Sequence, residues 1–157
     1  MYISSTVQNR IIQTTTVPIT SNGVALSGFT LSGTWYPQTQ YGPDPNPVPR
    51  IGTNSSGAYV SFSLTNASAF YISGSVNVNH GSYAVNINPP LNITPQTYNG
   101  YSYWTGLNTM MYLGMGMDRS TTYQIVMTND APDLSNRSTP DLSWMDLSEI
   151  VVFDAPP

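Results

Sequence analysis

The chain has 157 residues, a net charge of −4 and only 8% charged residues, with four arginines and no lysine. A domain of this length can bury a sizeable core, while the scarcity of basic residues excludes a nucleic-acid footprint and a basic membrane-surface helix. The lack of cysteine excludes disulfides, thiolate metal sites and a cysteine nucleophile.

Short segments in which apolar and polar residues alternate run through the chain. Residues 1–20 are polar and Thr-rich, and they predict a leading strand or a tail. The clearest alternation is AYVSFSL at 58–64, and it recurs in SYAVNIN at 82–88 and TTYQIVMT at 121–128. LSEIVVF at 147–153 adds a β-branched run. A period of two residues is typical of strands with one buried face.

Turn residues separate these segments, and no helical pattern of useful length is present. The sequence therefore predicts an all-β protein, with residues 1–157 forming a single antiparallel jelly-roll β-sandwich. Residues 36–50 carry five prolines. Because proline cannot donate to a β-ladder, this stretch is predicted to be a long loop or an extended edge segment.

Several motifs occur in an order that is known from one protein family. They are FTLSGTW, SGAYVSFSLTNASAFYISGSV, HGSYAVNIN, YWTGL, TTYQIVMTN and MDLSEIVVFD. In this order they resemble the galactose-binding-domain-like β-sandwich of secreted or membrane-tethered fungal proteins, especially those of mushrooms. The resemblance covers residues 24–154, and it departs at Tyr123 and Gln124, where the family strand usually opens with a histidine. It implies the fold and a sugar- or cell-wall-associated setting, and it implies no catalytic residues.

Aromatic side chains concentrate in YNGYSYWTGL at residues 98–107. If this stretch is a strand, Tyr101 and Tyr103 point inward with Leu107, and Trp104 lies on the outer face or at the rim. Tyr98 is expected in a loop, while Trp35 and Trp144 are expected to pack in the sandwich. Rings beside polar side chains suit sugars, and the candidate ligand-binding residues are Tyr36, Tyr41, Asp44, Tyr98, Tyr101 and Trp104.

Titratable groups are few: one histidine, one glutamate and seven aspartates. His80 lies in a turn, where a solvated side chain is the expected state, although a catalytic triad would need it. Asp130, Asp133 and Asp141 lie in one polar stretch, and hard oxygen ligands suit calcium. Galactose-binding-like sandwiches often hold a structural calcium, so the resemblance favours this use, with an ordinary polar loop as the alternative.

Four N-x-S/T sequons, at Asn54, Asn66, Asn92 and Asn136, predict N-glycosylation and a secreted protein or extracellular ectodomain. Chance matches are the alternative, since the chain is rich in Asn, Ser and Thr. No signal peptide and no apolar run of about 20 residues is visible, so direct membrane insertion within this chain is not expected.

These features predict a non-catalytic, lectin-like module that binds carbohydrate or a cell-wall glycan by ring stacking and loop hydrogen bonds. A secreted enzyme that acts on a glycan or a small molecule through Asp, Tyr or His80 is the first alternative. A structural or adhesive ectodomain that binds protein is the second.

Overall fold

In the computed structural model, residues 12–21, 24–38, 48–91, 97–131 and 142–155 are described, and they form strands, turns and loops without a helix. No helix that could span a membrane occurs in these ranges. The strands in chain order are β1 (Gln13–Pro18), β2 (Thr20–Ser21), β3 (Val24–Ala25), β4 (Phe29–Ser32), β5 (Tyr36–Gln38), β6 (Arg50–Thr53), β7 (Tyr59–Leu64), β8 (Ala69–Val76), β9 (Ser82–Asn88), β10 (Thr97–Asn99), β11 (Gly106–Met115), β12 (Tyr123–Asn129) and β13 (Met145–Asp154).

Two antiparallel sheets make up the sandwich. The six-stranded sheet has the order β11–β8–β13–β6–β5, with β1 also paired to β13, and the five-stranded sheet has the order β10–β9–β12–β7–β4. A short ribbon of β2 and β3 lies apart from both. From β7 onward the chain crosses repeatedly between the sheets, which gives a jelly-roll arrangement. The predicted fold class is therefore confirmed.

The core lies between the sheets and is built by the predicted alternation. Val60 and Phe62 of β7 and Ile125 of β12 are buried, as is Tyr83 of β9. The Phe62 ring meets the Phe70 ring of β8 edge-on, with centroids 6.2 Å apart, so the contact joins the two sheets. Burying one large apolar side chain stabilises the folded state by roughly 1.5–3 kcal/mol. Because of this gain the apolar residues of each strand face the core, and the strand faces could be predicted from the sequence.

One row of residues crosses the six-stranded sheet and leads to the site described below. Tyr36 of β5 is paired with Gly52 of β6, and Gly52 is paired with Asp146 of β13. Asp146 is in turn paired with Ser75 of β8. Tyr36 thus lies on the edge strand β5, which covers residues 36–38 of the Pro-rich segment.

Candidate functional site

Three exposed rings lie in the loop between β10 and β11. This aromatic loop, residues 100–105, carries Tyr101, Tyr103 and Trp104, with exposed fractions of 38%, 79% and 82%. The Tyr101 and Tyr103 rings meet edge-on at a centroid distance of 5.4 Å and an angle of 72°. The pKa of Tyr101 is raised, first by its hydrogen-bonding interaction with Tyr103. The loop therefore presents an angled aromatic surface made of uncharged side chains.

The inward direction predicted for Tyr101 and Tyr103 is wrong. That prediction treated residues 101–107 as one strand, but β10 ends at Asn99 and β11 begins at Gly106. Because residues between the strands are not held in a ladder, the period of two does not set the direction of their side chains. Trp104, expected on the outer face or at the rim, is exposed.

Backbone hydrogen bonds fix the aromatic loop to the neighbouring chain. The Gly100 amide donates to the Gly81 carbonyl at 2.9 Å, and the Gly100 carbonyl accepts from Asn77 at 3.2 Å. The Ser102 amide donates to the Asn77 carbonyl at 3.0 Å. Within the loop, the Ser102 hydroxyl oxygen accepts from the Trp104 amide at 3.2 Å. These bonds fix the backbone that carries the rings before any ligand arrives, which lowers the entropic cost of binding.

The loop rests on the turn formed by residues 77–80, named here the anchor turn. The His80 amide donates to the Asn77 carbonyl at 3.2 Å, which closes the turn. Isolated β-bridges join Asn77 to Tyr101 and His80 to Trp144. Val78, at the tip of the turn, is 44% exposed. The anchor turn therefore connects the aromatic loop on one side with Trp144 on the other.

His80 is fully buried beneath the aromatic loop. Its Nε2 atom lies 3.3 Å from Oδ2 of Asp146, which is also fully buried, and its Nδ1 atom lies 2.9 Å from Oδ1 of Asn79. A Cβ atom placed on Gly100 would lie 3.1 Å from the His80 Cβ, so the loop packs directly on this residue. The expectation of a solvated turn histidine is therefore wrong.

The same geometry bears on the alternative of a His80-based enzyme. Both ring nitrogens face side-chain oxygens, and the ring has no exposed surface. A general base must reach the proton that it abstracts. The described arrangement instead suits a positioning role for His80 under the aromatic loop.

A second pair of rings lies on the other side of the anchor turn. Tyr36 is 44% exposed, and its ring centroid lies 6.0 Å from that of Trp144 at an angle of 54°. Trp144 is half-buried, so the expectation of a core position holds only in part. Trp35, in contrast, packs against the core and donates from Nε1 to the Ser32 carbonyl at 2.9 Å, as predicted.

Tyr98 lies apart from the exposed rings. It belongs to β10, opposite Tyr83 of β9, so its prediction as a loop residue is wrong. Its ring stacks on the Tyr83 ring at 5.5 Å and meets the Tyr112 ring edge-on at 5.5 Å. Burial, together with the nearby Tyr98, raises the pKa of Tyr83 to about 12. Tyr98 thus packs within a ring cluster at the core, and its ligand contact stays a prediction.

Other candidate residues fall partly outside the described ranges. Tyr41 and Asp44 lie in the undescribed stretch 39–47, and Asp133 and Asp141 lie in 132–141. Asp130 is exposed after β12, and the described ranges contain no group of three metal-binding side chains. Of the sequon asparagines, Asn54 and Asn66 are exposed, whereas Asn92 and Asn136 lie outside the described residues.

The sequence did not signal Asp146 or Trp144 as parts of this region. Their relation to His80 arises from strand pairing between distant segments, which no local pattern encodes. The small residues Gly81 and Gly100 were the available hint, since a side chain at Gly81 would collide with its neighbours and one at Gly100 would be tightly packed. A Cβ on Gly81 would overlap the Leu142 carbonyl oxygen.

Comparisons with known proteins give structural likeness alone. No family model matches the chain, and no curated protein matches its sequence. A family two carbohydrate esterase from Cellvibrio japonicus matches with a TM-score of 0.56 and 12% identity, over 94% of this chain and 37% of the esterase chain. The chain thus spans little more than a third of that protein. At this identity the likeness concerns the fold.

Two carbohydrate-binding modules are also among the solved structures that match. One is the CBM36-1 domain of a multidomain xylanase from the hindgut metagenome of Trinervitermes trinervoides, with a TM-score of 0.48 and 16% identity, over 92% of this chain and 99% of that one. The other is a CBM36 module in complex with calcium and xylotriose, with a TM-score of 0.45 and 15% identity, over 88% of this chain and 98% of that one.

Proposed function

We propose that the protein binds uncharged carbohydrate chains through the aromatic loop, as a non-catalytic module. The observation that carries this proposal is the set of three exposed rings on a loop whose backbone is already hydrogen-bonded in place. The apolar face of a pyranose can pack on Trp104 and Tyr103, which are mostly exposed. The carbohydrate class also agrees with the esterase whose fold this chain shares.

Polar groups beside the rings can bond sugar hydroxyls. Asn99 is exposed at the end of β10, and Asn77 is half-buried in the anchor turn. Their side-chain oxygens accept from the Tyr101 and Val78 amides, at 2.9 and 2.7 Å, and each side-chain amide nitrogen is a further donor. A site of this kind typically binds with millimolar to micromolar affinity, or about −4 to −8 kcal/mol.

Charge favours a neutral ligand. Neither the aromatic loop nor the anchor turn carries Asp, Glu, Lys or Arg, and the chain as a whole has a net charge of −4. Long-range repulsion would therefore disfavour carboxylated or sulfated polysaccharides. We expect neutral polysaccharides to be preferred over acidic ones of similar length.

The test is a pull-down and calorimetry on a panel of neutral and acidic polysaccharides. Trp104→Ala and Tyr103→Ala should each weaken binding about tenfold, the scale of an aromatic anchor at an interface. Met115→Ala is the matched control, because Met115 is 57% exposed at the far end of β11. Equal binding by the Trp104 variant and the control would contradict the proposal, and a protein-binding role for the exposed rings would then be tested.

The biological setting is a further part of the proposal. We infer a secreted or extracellular protein, a fungal origin and a cell-wall glycan as the natural ligand, following the resemblance and the sequons. The exposed positions of Asn54 and Asn66 are compatible with glycan attachment. Expression in a glycosylating eukaryotic host, followed by mass spectrometry, tests all four sequons. An unmodified product from the secretory pathway would contradict this part.

Calcium at Asp130, Asp133 and Asp141 also stays a proposal. Carboxylates in one polar stretch are suitable hard ligands, and one matching module was solved with calcium. Ligand binding to the native state raises stability by mass action. Calcium should therefore raise the Tm of the wild type and leave that of Asp130→Asn unchanged. If the wild type has the same Tm with calcium as with a chelator, the proposed calcium site is contradicted.

A further inference from the structure

We propose that Tyr36 and Trp144 form a second carbohydrate subsite, so that the ligand is a linear oligosaccharide that lies across the anchor turn. This inference rests on the carbohydrate function proposed for the aromatic loop. It extends the proposed site from a single stacking surface to an elongated surface that binds an oligosaccharide, with aromatic rings at both ends.

The two rings form an angled pair at the edge of the six-stranded sheet. Their centroids are 6.0 Å apart and their planes are inclined by 54°. Tyr36 is 44% exposed because β5 is the last strand in its sheet path. Tyr36 is about as exposed as Tyr101, at 38%, and together with the half-buried Trp144 it offers a second apolar surface to a sugar ring.

The face of the six-stranded sheet beside Tyr36 is closely packed around Gly52. Gly52 is paired with Tyr36, and a Cβ atom placed on Gly52 would overlap Oδ1 of Asp146 and lie 2.8 Å from Nε2 of Gln38. The Asp146 carboxylate is fully buried, whereas Gln38 is half-buried. Gln38 follows Tyr36 by two residues on β5, so both side chains lie on the same face of the sheet, and the Gln38 amide can meet a sugar hydroxyl beside the Tyr36 ring.

The backbone limits how far apart the two ring groups can be. Tyr101 is bridged to Asn77, and Trp144 is bridged to His80, the first and last residues of the anchor turn. Bridged Cα atoms lie about 5 Å apart, and the ends of a β-turn lie within about 7 Å, so the Cα atoms of Tyr101 and Trp144 are at most about 17 Å apart. A short oligosaccharide is therefore long enough to contact both ring groups.

The surface between the two groups continues the same chemistry. Val78, at the tip of the anchor turn, is exposed, and the turn carries no Asp, Glu, Lys or Arg. An uncharged chain can therefore pass over the turn without burying an unpaired ion, which would be costly. Rings at both ends with an apolar residue between them favour a ligand of several units.

The experiment is calorimetry with cello-, xylo-, manno- and β-1,3-gluco-oligosaccharides of increasing length, from disaccharides upward. For the wild type, affinity should rise with chain length. Tyr36→Ala should lower the affinity for the longest chains about tenfold and leave that for disaccharides unchanged. Trp104→Ala should lower both, because its ring belongs to the aromatic loop.

The outcomes separate the two proposals. If Trp104→Ala loses binding while Tyr36→Ala binds every length as the wild type does, the aromatic loop stands and the second subsite is overturned. If the wild type binds none of these sugars, both are overturned. Tyr36→Gln serves as a second variant should Tyr36→Ala fail to fold, as judged by near-ultraviolet circular dichroism.

Discussion

His80 and Asp146 meet in the interior although one lies in a turn and the other in the last strand, with Nε2 and Oδ2 3.3 Å apart and both side chains fully buried. The pair joins the anchor turn to the six-stranded sheet directly below the aromatic loop. A buried pair of this kind adds little net stability relative to apolar residues, but losing one partner is costly. The interest of the pair for function is therefore its position below the aromatic loop rather than its contribution to stability.

Asp146→Ala should lower the free energy of unfolding by about 2–5 kcal/mol, because it leaves the buried His80 ring without its carboxylate. Urea unfolding followed by circular dichroism measures the change. Asp130→Asn, measured with a calcium chelator present, is the control, since that aspartate is exposed, and its effect should then stay within about 0.5 kcal/mol. Similar losses for both variants would mean that the buried pair has no special role.

Gly81→Ala should destabilise the protein by about 1–3 kcal/mol, the usual cost of overpacking. A Cβ at this position would overlap the Leu142 carbonyl, and the backbone there cannot move easily because the Gly81 amide donates to Trp144. The Gly81 carbonyl also holds the Gly100 amide, so hydrogen exchange at Gly100 should become faster.

Gly106→Ala is the control variant with which the stability loss of Gly81→Ala is compared. There a Cβ would meet only side-chain atoms, Thr109 Oγ1 and Val76 Cγ2, both at 2.8 Å. Since side chains can rotate away more easily than backbone, the loss of stability should be smaller. A larger loss for Gly106→Ala than for Gly81→Ala would rule out close backbone packing as the reason for Gly81.

Stability should fall in alkaline solution partly because of Tyr83, whose pKa is raised to about 12 by burial and by Tyr98. An unfolded tyrosine ionises near pH 10. Between about pH 10 and 12 the folded state therefore keeps a proton that the unfolded state has released. The contribution is present in full below pH 10 and is lost as pH rises through this window.

Urea unfolding at a series of pH values from about 9 to 12 checks this expectation. Tyr83→Phe removes the phenol, and it also loses the hydrogen bond from the hydroxyl to the Met111 carbonyl at 2.8 Å. The variant should be less stable at neutral pH, yet its stability should decline less steeply above pH 10. An unchanged slope would show that another group controls alkaline unfolding.

The sandwich could be predicted because burial between two sheets imposes a period of two on each strand. The faces of Val60, Phe62 and Ile125 follow that rule, and the structure confirms them. The same rule misplaced Tyr101 and Tyr103, because it holds only where the chain remains in a ladder. Where β10 ends, side-chain direction depends on hydrogen bonds to Asn77 and Gly81, and these lie outside the local sequence.

A comparison with the Arg119–Asp154 ion pair tests whether the His80–Asp146 contact positions the aromatic loop. Arg119 donates from Nε and Nη2 to the Asp154 carboxylate, at 2.6 and 3.0 Å, at the opposite end of β13. Both side chains are about a third exposed, 33% and 30%, so solvent and salt weaken the attraction. Asp154→Ala should cost about 1 kcal/mol or less, with a smaller effect in high salt.

Carbohydrate affinity should differ between the variants of the two pairs. Asp146→Ala should reduce affinity several-fold even under conditions where the variant remains folded, because the anchor turn beneath Tyr101 and Trp104 loses its contact with β13. Asp154→Ala should bind as the wild type does, since its partner loop lies far from the rings. Trp fluorescence without ligand provides a second readout, which should shift in the first variant and not in the second. If both variants bind normally, His80 and Asp146 contribute to stability alone, and the backbone bonds of Gly100 and Ser102 suffice to hold the rings.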